Sequence, residues 1–249
     1  MSFESRRELV RARALSSMSR WYNPWLHLGA TMSIGLAVLA VALARLSDVR
    51  PLEWLVIPVV FVMANGFEWR VHKDVLHRRR RLLEVIYDRH TPQHHMIYTT
   101  ADMEVRSTRE FRLVMIPAFG VAGAVLVTAP WALLFAKVWS ANAGWLLLVT
   151  ASLYMVSYEL FHLAYHLPAT NPIGRIGVIR RLREHHAWHH DPRLMQRWNF
   201  NVTVPLFDWI HGTIAPKELT DRVGATPLAS SDMLKEANAG ALEEATGKA

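Results

Sequence analysis

Four long apolar stretches constrain this sequence more than any other feature. They cover residues 25–46, 52–68, 113–134 and 145–165 of the 249 in the chain. Most of them approach the roughly 20 apolar residues that a helix needs to cross about 30 Å of hydrocarbon. The second is the shortest and carries Asn65 and Glu68 near its end, so a buried core helix is the alternative there. The pattern predicts a single-domain, all-α integral membrane protein with four transmembrane helices.

Basic residues predict the orientation of these helices. Of the 28 Lys and Arg residues, 25 fall before the first stretch, between the second and third, or after the fourth. Because cytoplasmic loops of membrane proteins retain Lys and Arg, both termini and the segments 70–111 and 166–213 are predicted to be cytoplasmic. The net charge of +7 therefore needs no nucleic-acid partner to explain it. The polar tail 217–249 is expected to be poorly ordered.

The sequence contains no cysteine. Disulfides, thiolate-bound zinc and cysteine-bound iron–sulfur clusters are therefore excluded within this chain. Any bound metal must use nitrogen or oxygen ligands. An excess of arginine over lysine and abundant alanine favour a bacterial inner membrane over the endoplasmic reticulum as the location.

Histidines are concentrated in the regions assigned to the cytoplasm. Twelve of the 13 lie there or in the last turn of a span that enters it. They fall into four groups and one single residue: His72 and His77; His90, His94 and His95; His162 and His166; His185, His186, His189 and His190; and His211. His27 lies at the start of the first span. His27 and His211 are interpreted as ordinary surface or capped histidines.

The spacing within the groups indicates which rings can meet, because residues three and four apart share a face of an α-helix. His162 and His166 form such a pair, and the second and fourth groups can each point two or three rings at a common centre. His72 and His77 are five apart, about 140° around an ideal helix. They therefore serve two different metals, or a π-bulge or helix end lies between them. His185 points away from its neighbours and is a candidate supporting residue.

A set of up to ten histidines requires two metal ions, because one ion rarely takes more than about six ligands. Imidazole suits iron, zinc, copper and nickel. Soluble di-iron bundles use two Glu-x-x-His motifs, whereas this chain has one, from Glu159 to His162. Redox-active iron at a membrane surface favours oxygen chemistry on a lipid chain, because dioxygen and acyl chains both partition into the bilayer. The alternatives are a zinc-dependent membrane hydrolase and a metal transporter, although a transporter should place its ligands near the bilayer midplane.

Four ordered motifs resemble the fatty acid hydroxylase superfamily, which includes sterol desaturases, fatty acid 2-hydroxylases and carotenoid hydroxylases. They are HKDVLH from His72, HTPQHH from His90, HLAYH from His162 and HHAWHH from His185. The resemblance runs from about Glu68 to Thr213. It is closest to fatty acid 2-hydroxylases in layout, with RLVMIP from Arg112 and LFDWIHGT from Leu206 as two further similar segments.

This resemblance implies four spans with a cytosolic helical cap, a centre of two iron ions, and O2-dependent hydroxylation, or next desaturation, of a membrane lipid. A fatty acyl, sterol-like or isoprenoid chain is the implied substrate. Zinc can replace iron in purified protein. The metal ligands carried over by matching positions are His72, His77, His90, His94, His95, His162, His166, His186, His189 and His190. A separate electron donor of the ferredoxin, rubredoxin or cytochrome b5 type is expected.

One departure from the superfamily pattern bears on the substrate class. Three residues separate His90 from His94 where many members have two, and this spacing is also found in membrane alkane hydroxylases. An alkane-type hydroxylase is therefore an alternative. The run Arg78–Arg81 is interpreted as a docking site for an acidic partner or anionic headgroups, or as positive-inside charge alone. Asp102, Glu159, Glu184 and Asp191 are candidates to orient imidazole N–H groups.

Overall fold

The computed structural model describes residues 2–226 and residue 228. Within that part of the chain the regular secondary structure is helical and includes no strand, and one isolated bridge joins Thr99 to Asp102. The helices long and apolar enough to cross a membrane are Pro24–Ala44, Pro51–Leu76, Thr108–Val138 and Ala141–Tyr165. The predicted all-α membrane fold with four spans is therefore confirmed. The side of the membrane on which each end lies stays a prediction.

The helical elements follow one another along the whole described chain. The α-helices are α1 (Phe3–Ser16), α2 (Pro24–Ala44), α3 (Val56–Val71), α4 (Glu84–Arg89), α5 (His95–Ile97), α6 (Phe111–Val114), α7 (Ala118–Val138), α8 (Ala141–Tyr165), α9 (Gly177–His189), α10 (Leu206–Ile210) and α11 (Lys217–Gly224). Short 3-10 helices cover Pro51–Leu55, Thr108–Glu110 and Pro172–Arg175. Two π-helical turns cover His72–Leu76 and His90–His94.

The second and third spans are longer than the apolar stretches that predicted them. The second continues through α3 into the π-helical turn and ends at Leu76, where the apolar stretch ends at residue 68. The third begins at Thr108 and is interrupted before Pro117, because proline disfavours helical backbone in the residue before it. Hydropathy detects apolar side chains only. Helical backbone hydrogen bonding continues through the polar residues at the ends of each span.

The chain forms two compact units. The first, called here the histidine unit, comprises the described residues of Met1–Arg20, Glu68–Arg106 and Ala164–Ala249. The second, called the apolar unit, comprises Trp21–Phe67 and Ser107–Leu163.

In the apolar unit, close helix packing depends on small residues. A Cβ atom added to Gly144 would lie 2.6 Å from the Ala132 carbonyl oxygen, so α7 and α8 approach at backbone distance there. Polar contacts add to this packing, since Asn65 Nδ2 donates to Tyr154 Oη at 3.0 Å. Outward-facing residues such as Leu133 are exposed, as expected of side chains that face lipid.

In the histidine unit, α1 packs on the segment that follows α5. Arg7 forms an ion pair with Asp102 at 3.0 Å, and Arg106 pairs with Glu8 at 2.8 Å. Arg11 is buried and donates to the Ile97 carbonyl at 3.3 Å. Lys217–Gly224 forms α11, which differs from the expectation of a poorly ordered tail for that stretch. The rest of the predicted tail lies largely outside the described residues.

Candidate metal centre

The first π-helical turn brings His72 and His77 onto one side of the backbone. The His77 N–H donates to the His72 carbonyl at 3.2 Å, five residues back, where an α-helix bonds four residues back. Five-residue spacing therefore returns to the same face. Of the two arrangements that the sequence left open, the structure has the π-bulge.

The second π-helical turn likewise brings His90 and His95 onto one side of the backbone. The His95 N–H bonds to the His90 carbonyl, so this pair is also five residues apart and faces one way. His94, between them in the sequence, points elsewhere. A π-bulge is an α-helix with one extra residue in a turn. The extra residue between His90 and His94, around Gln93, is absorbed by the turn, so the longer spacing keeps the ligand arrangement.

The structure gathers the histidines into two groups. The first group contains His72, His77, His90, His95 and His189, whose ligand nitrogens lie within 4.8 Å of one another. Within the histidine unit, the second group contains His94, His166, His186 and His190, under the same limit. The π-helical pairs thus serve the first group. The α-helical pair His186 and His190 serves the second.

Two of the sequence clusters are divided between the two groups, each sending two of its rings to one centre and a third ring to the other. His94 separates from His90 and His95, and His189 separates from His186 and His190. The reason is helical geometry, since residues one apart are about 100° apart around an α-helix and cannot aim at one point. Each of the two clusters therefore contributes to both groups.

The nitrogen separations in these groups suit a metal ion. Within the first group, the Nε2 atoms of His72 and His90 are 2.9 Å apart, and those of His72 and His189 are 3.0 Å apart. His77 and His189 are also separated by 2.9 Å through their Nε2 atoms. With metal–nitrogen bonds of about 2.1 Å, adjacent ligands lie about 3.0 Å apart around an octahedral ion and about 3.4 Å apart around a tetrahedral one. The separations in the first group are of this order, so its nitrogens can bind one ion.

Backbone carbonyls fix which ring nitrogen carries the proton. His189 Nδ1 donates to the Trp198 carbonyl at 2.8 Å, and His72 Nδ1 donates to the Phe200 carbonyl. In the second group, His166 Nδ1 donates to the Met103 carbonyl and His190 Nδ1 to the Tyr98 carbonyl, both at 2.8 Å. A carbonyl oxygen only accepts hydrogen bonds, so each Nδ1 must be the protonated nitrogen. Each Nε2 then presents a lone pair.

A hydroxyl orients one more ring. Thr91 Oγ1 donates to the Leu76 carbonyl at 2.7 Å, and it lies 3.3 Å from His77 Nδ1. With its own hydrogen engaged, this oxygen can only accept from His77. The His77 Nε2 therefore also presents a lone pair.

Burial keeps these imidazoles neutral. Desolvation, reinforced by neighbouring histidines, lowers the pKa well below the ordinary value for five of them: His77, His90, His95, His189 and His190. Neutral rings whose lone pairs converge at about 3 Å repel one another unless a cation lies between them. The donor set therefore fits a metal ion in each group.

The segment that supplies the Trp198 and Phe200 carbonyls is itself held by two buried carboxylates. Asp208 accepts from the Phe200 N–H at 2.9 Å and the Asn201 N–H at 2.8 Å. Glu68 accepts from the N–H groups of Val202 and Thr203, the latter at 3.1 Å. Burial raises the pKa of Asp208, but its hydrogen bonds from His185, Thr213 and the backbone hold it below the ordinary value.

The remaining histidines have other surroundings. His185 Nε2 lies 3.1 Å from Asp208 Oδ2, so it supports the segment and joins neither group. His27 Nδ1 lies 2.9 Å from the Tyr22 hydroxyl, and the His211 ring stacks on Trp69 at 4.2 Å. His162 is buried in the apolar unit, one helical turn before His166. Its place in the second group stays a prediction.

The four carboxylates proposed from the sequence make other contacts. Asp102 pairs with Arg7, Asp191 pairs with Arg193 at 2.7 Å, and Glu159 accepts from the Ile116 N–H at 3.1 Å. Exposed Glu184 lines a surface cavity. The residues that orient the rings were missed because most are backbone carbonyls, which carry no side-chain signal. In the sequence, the residue that could have indicated this support is Asp208, in the LFDWIHGT segment that begins at Leu206.

These observations define a class of protein: an all-α membrane protein with four spans and two buried histidine groups that could hold metal ions. The sequence profile of the family described as fatty acid hydroxylase matches residues 57–213, which is more than half of the chain. The chain belongs to the fatty acid hydroxylase family. It is accordingly an oxidoreductase of a family that hydroxylates lipids.

One solved structure has a similar fold. It is full-length Scs7p, in which only the hydroxylase domain is visible, and it superposes with a TM-score of 0.52 at 18% sequence identity. The match covers 78% of this chain and 67% of that chain. At this identity the likeness concerns the fold alone. Comparison with curated proteins gave no match.

Proposed function

We propose that this protein is an O2-dependent hydroxylase of a membrane lipid that uses two iron ions. The observation that carries the proposal is the pair of buried histidine groups, in which neutral rings converge their Nε2 lone pairs. Family membership supports the lipid substrate and the reaction type. Desaturation of the same kind of chain is the second candidate reaction.

The proposed ligands are the ten histidines carried over from the motifs. The first metal is held by His72, His77, His90, His95 and His189, and the second by His94, His162, His166, His186 and His190. His162 is included because it lies one helical turn before His166, where helical spacing places both on one face. Five nitrogen ligands in each group favour iron over structural zinc, which almost always has four ligands.

The metal pair, when bound, supplies the redox chemistry that splits dioxygen. In balanced form, a C–H bond, dioxygen, two electrons and two protons give a C–OH group and water. The chain holds the rings in one tautomer through the Trp198, Phe200, Met103 and Tyr98 carbonyls, and burial excludes water from the nitrogens. Metal-binding histidines are commonly oriented in this way through their second nitrogen.

The two electrons that the reaction consumes must be supplied by a redox partner. We propose a separate ferredoxin, rubredoxin or cytochrome b5 as the donor. The distribution of basic residues supports cytoplasmic termini and a cytoplasmic metal centre, so a soluble donor can reach it. The bacterial inner membrane is the proposed location.

The substrate is proposed to be a fatty acyl, sterol-like or isoprenoid chain. An alkane substrate had support from the long spacing between His90 and His94. The π-helical turn accommodates the extra residue, so the same spacing is also compatible with the other chains, and an alkane is the alternative substrate.

The test combines metal analysis with lipid mass spectrometry. Purified protein should contain two metal ions per chain, and cells that express it should gain one oxygen atom on one lipid class. His189→Ala should abolish the product, and His211→Ala is the matched control, because His211 stacks on Trp69 outside both groups. An unchanged lipid profile with His189→Ala would overturn the proposal. Product formation without dioxygen would favour a zinc hydrolase, and metal flux into proteoliposomes would favour a transporter.

A further inference from the structure

A turn of unusual composition joins the two π-helical turns of the histidine unit. Residues 78–86, called here the arginine–leucine tip, begin with four consecutive arginines and continue with four exposed aliphatic side chains. The aliphatic residues are Leu82, Leu83, Val85 and Ile86, with exposed fractions of 88%, 39%, 70% and 42%. Positive-inside charge explains the arginines. It does not explain why apolar side chains accompany them at the surface.

Leu82 is held in an unfavourable backbone conformation. Its φ angle is +71°, in the left-handed region that residues other than glycine, asparagine and aspartate rarely adopt. Its side chain is nevertheless 88% exposed, so packing within the described chain does not offset this strain. A strained, exposed leucine at the apex of a turn indicates a partner outside the chain.

The tip follows the second span closely along the chain. The apolar stretch of that span ends at residue 68, and the helix that contains it continues to Leu76, six residues before Leu82. Six residues reach at most about 20 Å even when fully extended, and the tip folds back at once through the Leu83 N–H bond to the Arg80 carbonyl at 3.0 Å. Interfacial segments bury their apolar side chains only about 5–10 Å into the headgroup boundary.

The positive charge of the arginines indicates which kind of surface the tip can bind. Arg78 and Arg79 make long ion pairs, with Asp74 at 3.8 Å and Asp88 at 3.4 Å, and both arginines stay about half exposed. Arg81 is exposed beside Leu82. Arginine next to exposed aliphatic side chains is typical of segments that bind anionic lipid headgroups and insert shallowly. An acidic carrier protein would match the charge but would give the four exposed aliphatic side chains no apolar surroundings.

We propose that the arginine–leucine tip inserts into the membrane surface, with Leu82 among the lipid acyl carbons and Arg81 at anionic phosphate groups. The tip connects the turns that carry His72, His77, His90 and His95, so its insertion fixes the first histidine group against the bilayer. The proposal depends on the membrane fold and not on the proposed reaction.

The absence of cysteine permits a direct test. Leu82→Cys is labelled with an environment-sensitive fluorophore and reconstituted in phosphatidylcholine vesicles, with or without phosphatidylglycerol and with a doxyl-labelled quencher lipid. The matched control is Glu218→Cys, on the exposed face of α11. The label at position 82 should emit at shorter wavelength and be quenched at least about twice as strongly as the control. Phosphatidylglycerol should increase the quenching, and Arg81→Gln should remove most of that increase.

Two outcomes would overturn the proposal. In the first, the label at position 82 emits as in water and is quenched no more than the control. In the second, it is shielded only when a soluble acidic electron carrier is added, which would identify the tip as a protein-docking surface. Because the readout is fluorescence, a failed insertion and a failed hydroxylase assay are distinguishable.

Discussion

Asp208 offers a sharp test of how the first histidine group is positioned. Its Oδ1 accepts from Phe200 N at 2.9 Å and Thr213 Oγ1 at 2.7 Å, and its Oδ2 accepts from Asn201 N at 2.8 Å and His185 Nε2 at 3.1 Å. Asp208→Asn leaves one oxygen where there were two, so two of these donors lose their acceptor. Each hydrogen bond to a charged group contributes about 1.5–3 kcal/mol, and the expected loss in the free energy of unfolding is about 3 kcal/mol or more.

The assay is thermal unfolding of the purified protein in detergent, together with metal analysis. A loss of about 3 kcal/mol corresponds to a Tm lower by about 6–12 °C for a chain of this size. The metal of the first group should be lost first, because the Trp198 and Phe200 carbonyls shift. The control is Asp221→Asn, whose carboxylate pairs with exposed Lys217 at 2.7 Å and should change stability by less than about 1 kcal/mol. If Asp208→Asn keeps both metals and melts within about 2 °C of the parent, the positioning argument is refuted.

Three further predictions concern the histidine groups. Thr91→Val should weaken metal binding in the first group by about tenfold in a chelator competition, whereas Thr91→Ser should retain it, because the hydroxyl accepts from His77. Deleting Gln93 should convert the second π-helical turn into an α-helical one and retain two metals per chain, whereas inserting an alanine there should leave one. The free energy of unfolding of the metal-free protein, measured by denaturant titration at several pH values, should fall below about pH 6.5 by up to about 1.4 kcal/mol per pH unit for each buried histidine.

The sign of that pH dependence follows from the direction of the shifts. Burial lowers the pKa of His77, His90, His95, His189 and His190 below the value in the unfolded chain. Below the unfolded value, the unfolded chain binds protons that the folded chain does not, and acid therefore favours unfolding. Stability that increased on acidification from pH 7 to 5 would contradict the burial of neutral rings.

The sequence was sufficient for the spans, because they depend on a local pattern. Apolar length predicts a crossing helix directly, and spacing shows which histidines can share a face. The π-bulge between His72 and His77 was one of two arrangements that spacing allowed. The structure was needed to choose between them, since the choice depends on how the turn packs and not on its own residues.

The division of the histidines between two groups could not be predicted from spacing. His94 and His189 each leave the pair of histidines nearest them in sequence, and this depends on which helices face each other in space. The hydrogen bonds that orient the imidazole rings could not be predicted from the sequence either. Carbonyls of Tyr98, Met103 and Trp198 hold three imidazoles, and any residue type at those positions provides a carbonyl.

Oxygen incorporation from isotope-labelled dioxygen tests directly whether the protein hydroxylates a lipid. Purified protein in lipid vesicles, loaded with iron and supplied with a reduced electron carrier, is exposed to the labelled gas, and the lipids are analysed by mass spectrometry. One labelled oxygen atom is expected in a hydroxylated lipid, and none with His189→Ala or His190→Ala. Product that carries oxygen from water instead, or that forms equally well in both variants, would contradict the proposed function.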